Sequence, residues 1–358
     1  MCVMATTTSV YVDPNTGGVQ AGLMQFRNAI INGDMRINQR GASTNLASMS
    51  VVGATIGYVV DRWCVLRSGY ATDSQMAQGT NIGVLDLPFT EAGITTFSRA
   101  SRIVSTSSTA AINFSYGLES QDSKKFAGKT VTLSFYYRTG ANFSSSALNA
   151  YIVTGKGNDE GLQRGSSITG YQANTASFTV NLNWSRAKYT VTITDTAVTQ
   201  IGVSFQLIPS GTALAADYFD ITGVQLEQGS VATPFEIRPL SVELQLCYRY
   251  YYRIGTTLGN FNTIVASGHM RDTISCDAMV TLPCVMRKMP TGGKGTTELI
   301  IYAGNGNPFT TGAYNINVSL NNNSIWVRFN AGTAQTMGYG AIVVTNGQNS
   351  YMDFNAEL

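Results

Sequence analysis

Charge is scarce in this chain. Asp, Glu, Lys and Arg make up 12% of its 358 residues, about half the usual share. The 23 basic side chains nearly cancel the 21 acidic ones, and no basic run is longer than two residues, as at Lys124-Lys125 and Arg287-Lys288. Such a sequence cannot neutralise a row of phosphates, which argues against nucleic acid as a partner. Histidine is rarer still, with His269 alone. A hydrolase triad would have to use it, and Gly-x-Ser-x-Gly is absent, so no nucleophile elbow is expected. A lone imidazole does not make a His-rich metal site either, and His269 reads as a polar strand-end or loop residue. No stretch reaches the length of a membrane span, and no basic-then-apolar signal peptide opens the chain. The five cysteines, Cys2, Cys64, Cys247, Cys276 and Cys284, are odd in number and match no zinc spacing. Free thiols packed as small core residues are expected.

The polar surface must come from Ser, Thr, Asn and Gln, and the 36 glycines imply many turns. Abundant Thr, Tyr and Val favour β-structure. Apolar and polar residues alternate through Val131, Leu133, Phe135 and Tyr137, through Tyr189, Val191 and Ile193, and through Ile201, Val203, Phe205 and Leu207. A period of two sets each row on one face of a sheet. Short strands with Gly-rich turns indicate a sandwich rather than a parallel sheet. Between Phe219 and Leu226 the apolar parity slips by one at Gly223, which predicts a bulge there. Pro239, followed by Leu240, Leu244, Cys247, Tyr248 and Tyr251, has helical spacing. A short helix is expected, with this apolar stripe, Leu244 at its centre, packed between two β-domains. Strand patterns resume after residue 252. Tyr314, Ile316, Val318 and Leu320 lead through an Asn-rich turn at 321–324 into Ile325, Val327 and Phe329, a hairpin. Leu299-Ile300-Ile301 and Ala341-Ile342-Val343-Val344 are further strands. Residues 1–26 stand apart as a polar arm broken by Asp13-Pro14-Asn15 and Gly17-Gly18.

Several runs, in order from Asn28 to Leu358, carry a resemblance: NAIINGDMRINQRG at 28–41, GYVVDRW at 57–63, GKTVTLSF at 128–135, GVQLEQGSVATPFE at 223–236, Arg238-Pro239, ELQLCYRYY at 243–251, LPCVMR at 282–287 and FNAEL at 354–358. Through them the chain resembles a class of phage tail-fibre and virion structural proteins with a carbohydrate-binding-module-like jelly roll. The resemblance implies an all-β fold in a virion context and names no ligand. The expected organisation is a virion-attachment arm at 1–26, a jelly-roll β-sandwich at 27–238, a helical connector at 239–252 and a second β-domain at 253–358. Resemblance and low charge both favour a homotrimer.

The expected function is a short tail fibre on the phage tail that binds a host-surface glycan or receptor without catalysis. The arm would reach another virion protein. A capsid decoration or head-fibre protein is the alternative, and a polysaccharide depolymerase ranks below both. Glycoside hydrolysis needs two carboxylates roughly 5–9.5 Å apart across the bond, and no motif nominates a pair. Asp159-Glu160 lies in a Gly-rich loop and is expected to face solvent. The segment from Glu227 to Glu236 is read as the close of the last jelly-roll strand, with a turn at 230–233. An exposed Trp can stack on a sugar ring. Trp63 is instead expected to anchor the core, with Asp61 and Arg62 paired beside it, and Trp184 is read as structural. Trp326 points away from Ile325, Val327 and Phe329 in a regular strand, which makes it the leading ligand-binding candidate. Burial in a trimer interface is the competing reading, and Tyr302, Phe309 and Tyr314 are weaker candidates nearby. No cofactor, metal ligand set, nucleic acid or membrane insertion is expected. A structural calcium ion stays open, without assigned residues.

Overall fold

The computed structural model describes residues 11–12, 19–20, 26–40, 57–67, 80–87, 95–105, 111–161, 168–210, 216–256, 261–295, 297–304, 308–321, 324–331, 336–347 and 350–358. A minimal antiparallel pair, β1 (Tyr11–Val12) and β2 (Val19–Gln20), is all that is described before Phe26. Most of the expected arm therefore lies outside the described residues.

The first body is built from β3 (Gly57–Val60), β4 (Trp63–Arg67), β5 (Thr80–Asp86), β6 (Arg99–Ser105), β7 (Ile112–Gly117), the one-turn helix α1 (Ser120–Ser123), β8 (Thr130–Thr139), β9 (Leu148–Gly155), β10 (Gln172–Phe178), β11 (Ser185–Thr192), β12 (Gln200–Leu207) and β13 (Tyr218–Gln228). The strands form two antiparallel sheets, in the orders β10-β9-β12-β7-β4-β3 and β11-β8-β13-β6-β5. From β7 onward the chain crosses repeatedly between them, as a jelly-roll sandwich requires. Alternation decides which face is core. Val131, Leu133, Phe135 and Tyr137 of β8 point inward to meet Ile201, Val203, Phe205 and Leu207 of β12, all of them buried. The Phe135 and Phe205 rings meet edge to face at 4.7 Å, and Trp63 stacks on Phe114 at 4.8 Å. On the opposite face, threonine hydroxyls bridge β8 to β11, Thr130 to Thr192 at 2.8 Å and Thr132 to Thr190 at 2.9 Å.

The parity slip at Gly223 is a bulge. The register of β13 against β8 shifts between Thr222 and Gln225, and Gly223 has φ +60°. A side chain there would strain the backbone and strike the Phe97 ring. The 28–40 segment crosses the sandwich beside this bulge. Val224 N–H donates to the Gly33 carbonyl at 2.8 Å, and a Cβ on Gly33 would run into the Val224 carbonyl. After β13 the chain turns as expected, with Glu227 accepting from Thr233 N–H (2.9 Å) and Thr233 Oγ1 (2.6 Å).

The connector is α2 (Leu240–Tyr248), with Pro239 at its N-cap. Its buried face keeps Cys247 of the expected apolar stripe but not the leucines. Leu240 is 54% exposed and Leu244 only half-buried, whereas Glu243 and Cys247 are buried. The reason is electrostatic. The Glu243 carboxylate accepts from the Asn32 N–H and pairs with Arg238, so a charged contact orients the helix. Tyr251 is outside the helix and opens a strand.

The second body comprises β14 (Tyr251–Thr256), β15 (Phe261–Met270), β16 (Ser275–Thr281), β17 (Thr291–Lys294), β18 (Ile300–Ala303), β19 (Pro308–Asn321), β20 (Ser324–Ala331), β21 (Gly340–Asn346) and β22 (Ser350–Asn355). Six of them close a barrel in the order β15-β16-β20-β19-β18-β21, and β14-β22-β17 form a small sheet. The Asn-rich hairpin joins β19 to β20, with Asn321 opposite Ser324. Ile301, Ile325, Val327, Phe329 and Val343 fill the barrel.

The two bodies meet over buried charge. Glu357 accepts from Arg40 (3.0 Å) and pairs with Arg62, whose other Nη donates to the Gly117 carbonyl at 2.7 Å. The Arg62 guanidinium lies 3.5 Å from the Tyr250 ring centre, and that of Arg40 lies 3.6 Å from Tyr251. Asp61 and Arg62 are thus not each other's partners. They form the turn between β3 and β4, where Arg62 takes φ +74° and is thrown toward Glu357. Asp61 instead accepts from Gln39 N–H at 2.7 Å and faces Arg40. Glu119 receives both Arg249 (2.8 and 2.9 Å) and the Tyr250 hydroxyl (2.6 Å). Arg287 donates to the Ala356 and Glu357 carbonyls, each at 2.9 Å, and reaches Asp159 at 3.2 Å. Asp159, expected to face solvent, is therefore part of the joint.

Replacing Glu357 with Gln leaves the Arg62 guanidinium buried without its ion-pair partner, a change worth about 3–5 kcal/mol. The urea midpoint should fall accordingly, and an unchanged midpoint would show that this pair does not hold the joint. Burial pushes the Asp61 carboxyl up from 3.8 to about 6, although Arg40 and the Gln39 N–H oppose the shift. Between those values the folded chain keeps a proton that the unfolded chain has released. This group's contribution to stability is therefore lost as pH rises through about 6. Asp61→Asn should flatten the pH dependence of the urea midpoint over that window, and an unaltered slope would contradict it.

Candidate functional site

Several of the resemblance-bearing runs supply the joint, through Arg40, Arg62, Tyr250, Arg287 and Glu357. Trp63 is fully buried, with its Nε1 donating to the Asn32 carbonyl at 3.1 Å. Asp61 and Arg62 are buried beside it, and Leu244 is half-buried on α2. These residues assemble the fold.

The open aromatic surface is on the barrel. In β20 the inward residues are Ile325, Val327 and Phe329, so period two turns Trp326 and Arg328 outward. Strand register then supplies their neighbours. One row across the outer face runs Ser267, Met279, Trp326, and the next runs His269, Asp277, Arg328. Residues directly opposite share a face. Trp326 is half-buried beside Met279, which is 54% exposed. Arg328 donates from Nε and Nη2 to the two Asp277 oxygens, at 2.8 and 3.2 Å. The same guanidinium sits 4.8 Å from the Trp326 ring centre. His269 is exposed on β15, opposite Asp277.

A half-open indole beside a fixed ion pair can stack on the apolar face of a ring while charged donors and acceptors meet its hydroxyls. Arg328 was findable, because two residues along a strand return to the same face. Asp277 and Met279 were not, because their place beside β20 depends on the register of a distant strand. Tyr302 is half-buried on β18 next to Ile342, with β21, β15 and β16 between it and β20 on one side and β19 on the other. The structure therefore does not gather Tyr302 with Trp326. β19 sets Phe309 opposite Ile301 and Tyr314 opposite Phe329; the side chains of Phe309 and Tyr314 lie outside the described residues.

Trp184 immediately precedes β11 and is half-buried, with the Arg138 guanidinium 4.9 Å from its ring centre. Cys64, Cys247 and Cys276 are buried free thiols, and burial with the nearby Asp277 pushes Cys276 up to about 11. Among the described residues, no three His, Cys, Asp or Glu side chains are grouped to hold a metal ion.

No protein-family model matches the chain, and no curated protein matches it. Among solved structures, it shows a likeness to the enzymatically active domain of tailspike protein 4 from bacteriophage CBA120, at 11% identity and a TM-score of 0.35, over 57% of this chain and 22% of that one. The CBM22-1 xylan-binding domain of Paenibacillus barcinonensis Xyn10C is 11% identical, with a TM-score of 0.30 over 47% of this chain and 87% of its own. A CBM4 structure is 18% identical, with a TM-score of 0.29 over 52% of this chain and 100% of its own.

The exposures predict a quenching pattern for the three tryptophans. Acrylamide should reach Trp326 and Trp184 but not the buried Trp63. Trp326→Phe should shrink the quenchable fraction of the emission, and Trp63→Phe should leave the quenchable component in place. The reverse pattern would move Trp326 off the open face.

Proposed function

We propose that the chain is a non-catalytic structural protein of a bacteriophage particle, a short tail fibre whose barrel contacts a host-surface glycan. The observation that carries this reading is the outward Trp326 platform beside the bidentate Asp277–Arg328 pair. Indole stacking with an adjacent fixed charge pair suits a sugar ring, which offers an apolar face and a rim of hydroxyls. The binding-only reading is supported by the state of the buried carboxylates. Glu119, Asp220, Glu243 and Glu357 each face arginine, a structural use of buried charge. The charged joint suits an appendage that must transmit force between its bodies without hinging. In the same proposal the fibre is a homotrimer, and the arm at 1–26 attaches it to another virion protein.

Purified protein should compete with phage for adsorption to host cells. Trp326→Ala should abolish the competition while leaving the melting temperature unchanged. A chain starting at Phe26 should fold yet fail to enter particles, and immunogold should mark the tail. Label on the head, with adsorption intact in particles that lack the protein, would replace the fibre with a capsid decoration. Release of reducing sugar from host polysaccharide would make it a depolymerase.

A further inference from the structure

The barrel has a charged side and an uncharged side. Of its six strands only β16 and β20 contain charged residues, Asp277 and Arg328, and these two pair with each other. The other four, β19, β18, β21 and β15, are contiguous in the closed order and contain no Asp, Glu, Lys or Arg. On three of them the outward side chains can be followed by register. Ile301 and Val343 point into the barrel, so Tyr302 and Ile342 point out. Tyr302 lies opposite Ile342, and Ile342 opposite Ser267. Two residues along, Ile300 lies opposite Val344, and Val344 opposite Ile264. Ile264 is 59% exposed and Ile342 39%, while Ile300 and Tyr302 are half-buried. Past the end of β18, the exposed Tyr339 rests over Gly304, where a side chain would strike its ring.

Single exposed apolar residues need no explanation, but a contiguous set does. The absence of charge narrows what can cover it. A charged partner would find nothing here to pair with. Identical copies bring the same residues to a shared contact, where like charges would repel. A face stripped of charge therefore tolerates its own copy. Position in the barrel gives a second argument. In a closed ring of six strands, β21 and β20 are three steps apart in either direction, which sets them on opposite sides. The row Tyr302, Ile342, Ser267 continues through Met279 to Trp326. Ile342 and Trp326 thus belong to one row on opposite sides of the barrel. Turning β21 toward an axis turns Trp326 away from it.

We propose that the β18–β21–β15 face is the contact through which the barrels of three copies pack around a common axis, with Ile342 innermost. The inference rests on the homotrimer of the reading above and names its interface. It also leaves all three Trp326 platforms on the outside of the assembly, where a host surface can reach them.

The test is the mass of the full-length protein by sedimentation equilibrium. The wild type should show three times the 38.4 kDa of one chain. Ile342→Lys and Ile264→Lys each put a charge into the contact, and each should raise the concentration needed for assembly by about tenfold or more. Both positions face outward, so the far-UV spectrum of the single chains should stay that of the wild type. Trp326→Ala should keep the mass of the trimer. Ser267→Cys, a nearly isosteric change in the same row, serves if the lysine variants fail to fold. A maleimide should modify it more slowly than Asn330→Cys, at an exposed position on β20, and dilution into single chains should remove the difference. A wild type of one or two chains would overturn both this contact and the homotrimer, while competition for adsorption, read separately, would still decide the fibre reading. Undiminished assembly of both folded lysine variants, prompt modification of Ser267→Cys in the trimer, or dissociation by Trp326→Ala would overturn this interface and leave the homotrimer standing.

Discussion

The carboxylate of Glu357 sits where almost no water reaches, and the way its charge is met determines how the two bodies join. Arg62 reaches it from the β3–β4 turn and Arg40 from the crossing segment. Both guanidinium groups then lie on tyrosine rings beyond the connector, Arg62 on Tyr250 and Arg40 on Tyr251. A charge taken out of water is tolerated only when its partners have good geometry. That condition makes the joint intolerant of slippage. The pairing of Tyr251 with Asn355 sets where the residues after β22 fall, and a shift of one residue would swing Glu357 away from both arginines. Buried apolar residues could supply as much stability, but they would not discriminate between neighbouring registers in this way.

The same logic governs the 28–40 segment and α2. This segment has little regular structure, so its backbone groups need other partners. Asn28 accepts from the Ile30 and Leu226 N–H groups at 2.9 and 3.1 Å. Asn32 accepts from Ile37 at 2.9 Å and donates to the Asp61 carbonyl at 3.0 Å. Asn32 and Met35 take φ of +56° and +59°, conformations that persist only where the surroundings over-determine them. Glu243 on α2 caps the arrangement by accepting from the Asn32 N–H. Sandwich, crossing segment, connector and the small sheet of the second body are therefore linked through a handful of charged and amide side chains, in a chain that has few charges to use.

This division explains what could be read from residues alone. The rows in β8, β12 and β20 were legible because alternation is a local property of a strand. The bulge was legible because an odd step in that alternation has one cheap cause, a glycine. The orientation of Trp326 followed from the same rule. The joint was not legible, because Arg62 and Glu357 lie at opposite ends of the folded chain's sequence and nothing local couples them. The α2 stripe misled for a related reason. Leu240 and Leu244 have helical spacing, but Glu243 has the better partners. Pairing Asp61 with Arg62 failed because neighbours in a turn diverge. Asp220 is one polar position between apolar neighbours in the sequence, and only the register of β6 and β8 shows that it holds two arginines.

The outer faces of sandwich and barrel share one device. An almost fully buried aspartate, Asp220 on the sandwich or Asp277 on the barrel, holds arginine on the solvent face so that the guanidinium lies near a tryptophan, Trp184 or Trp326. Each aspartate removes rotamer freedom from a long side chain, and on the barrel that makes the surface preorganised for a ligand. The balance of charge differs. On the barrel one aspartate meets one arginine, giving a neutral pair beside the ring. On the sandwich one aspartate meets two arginines.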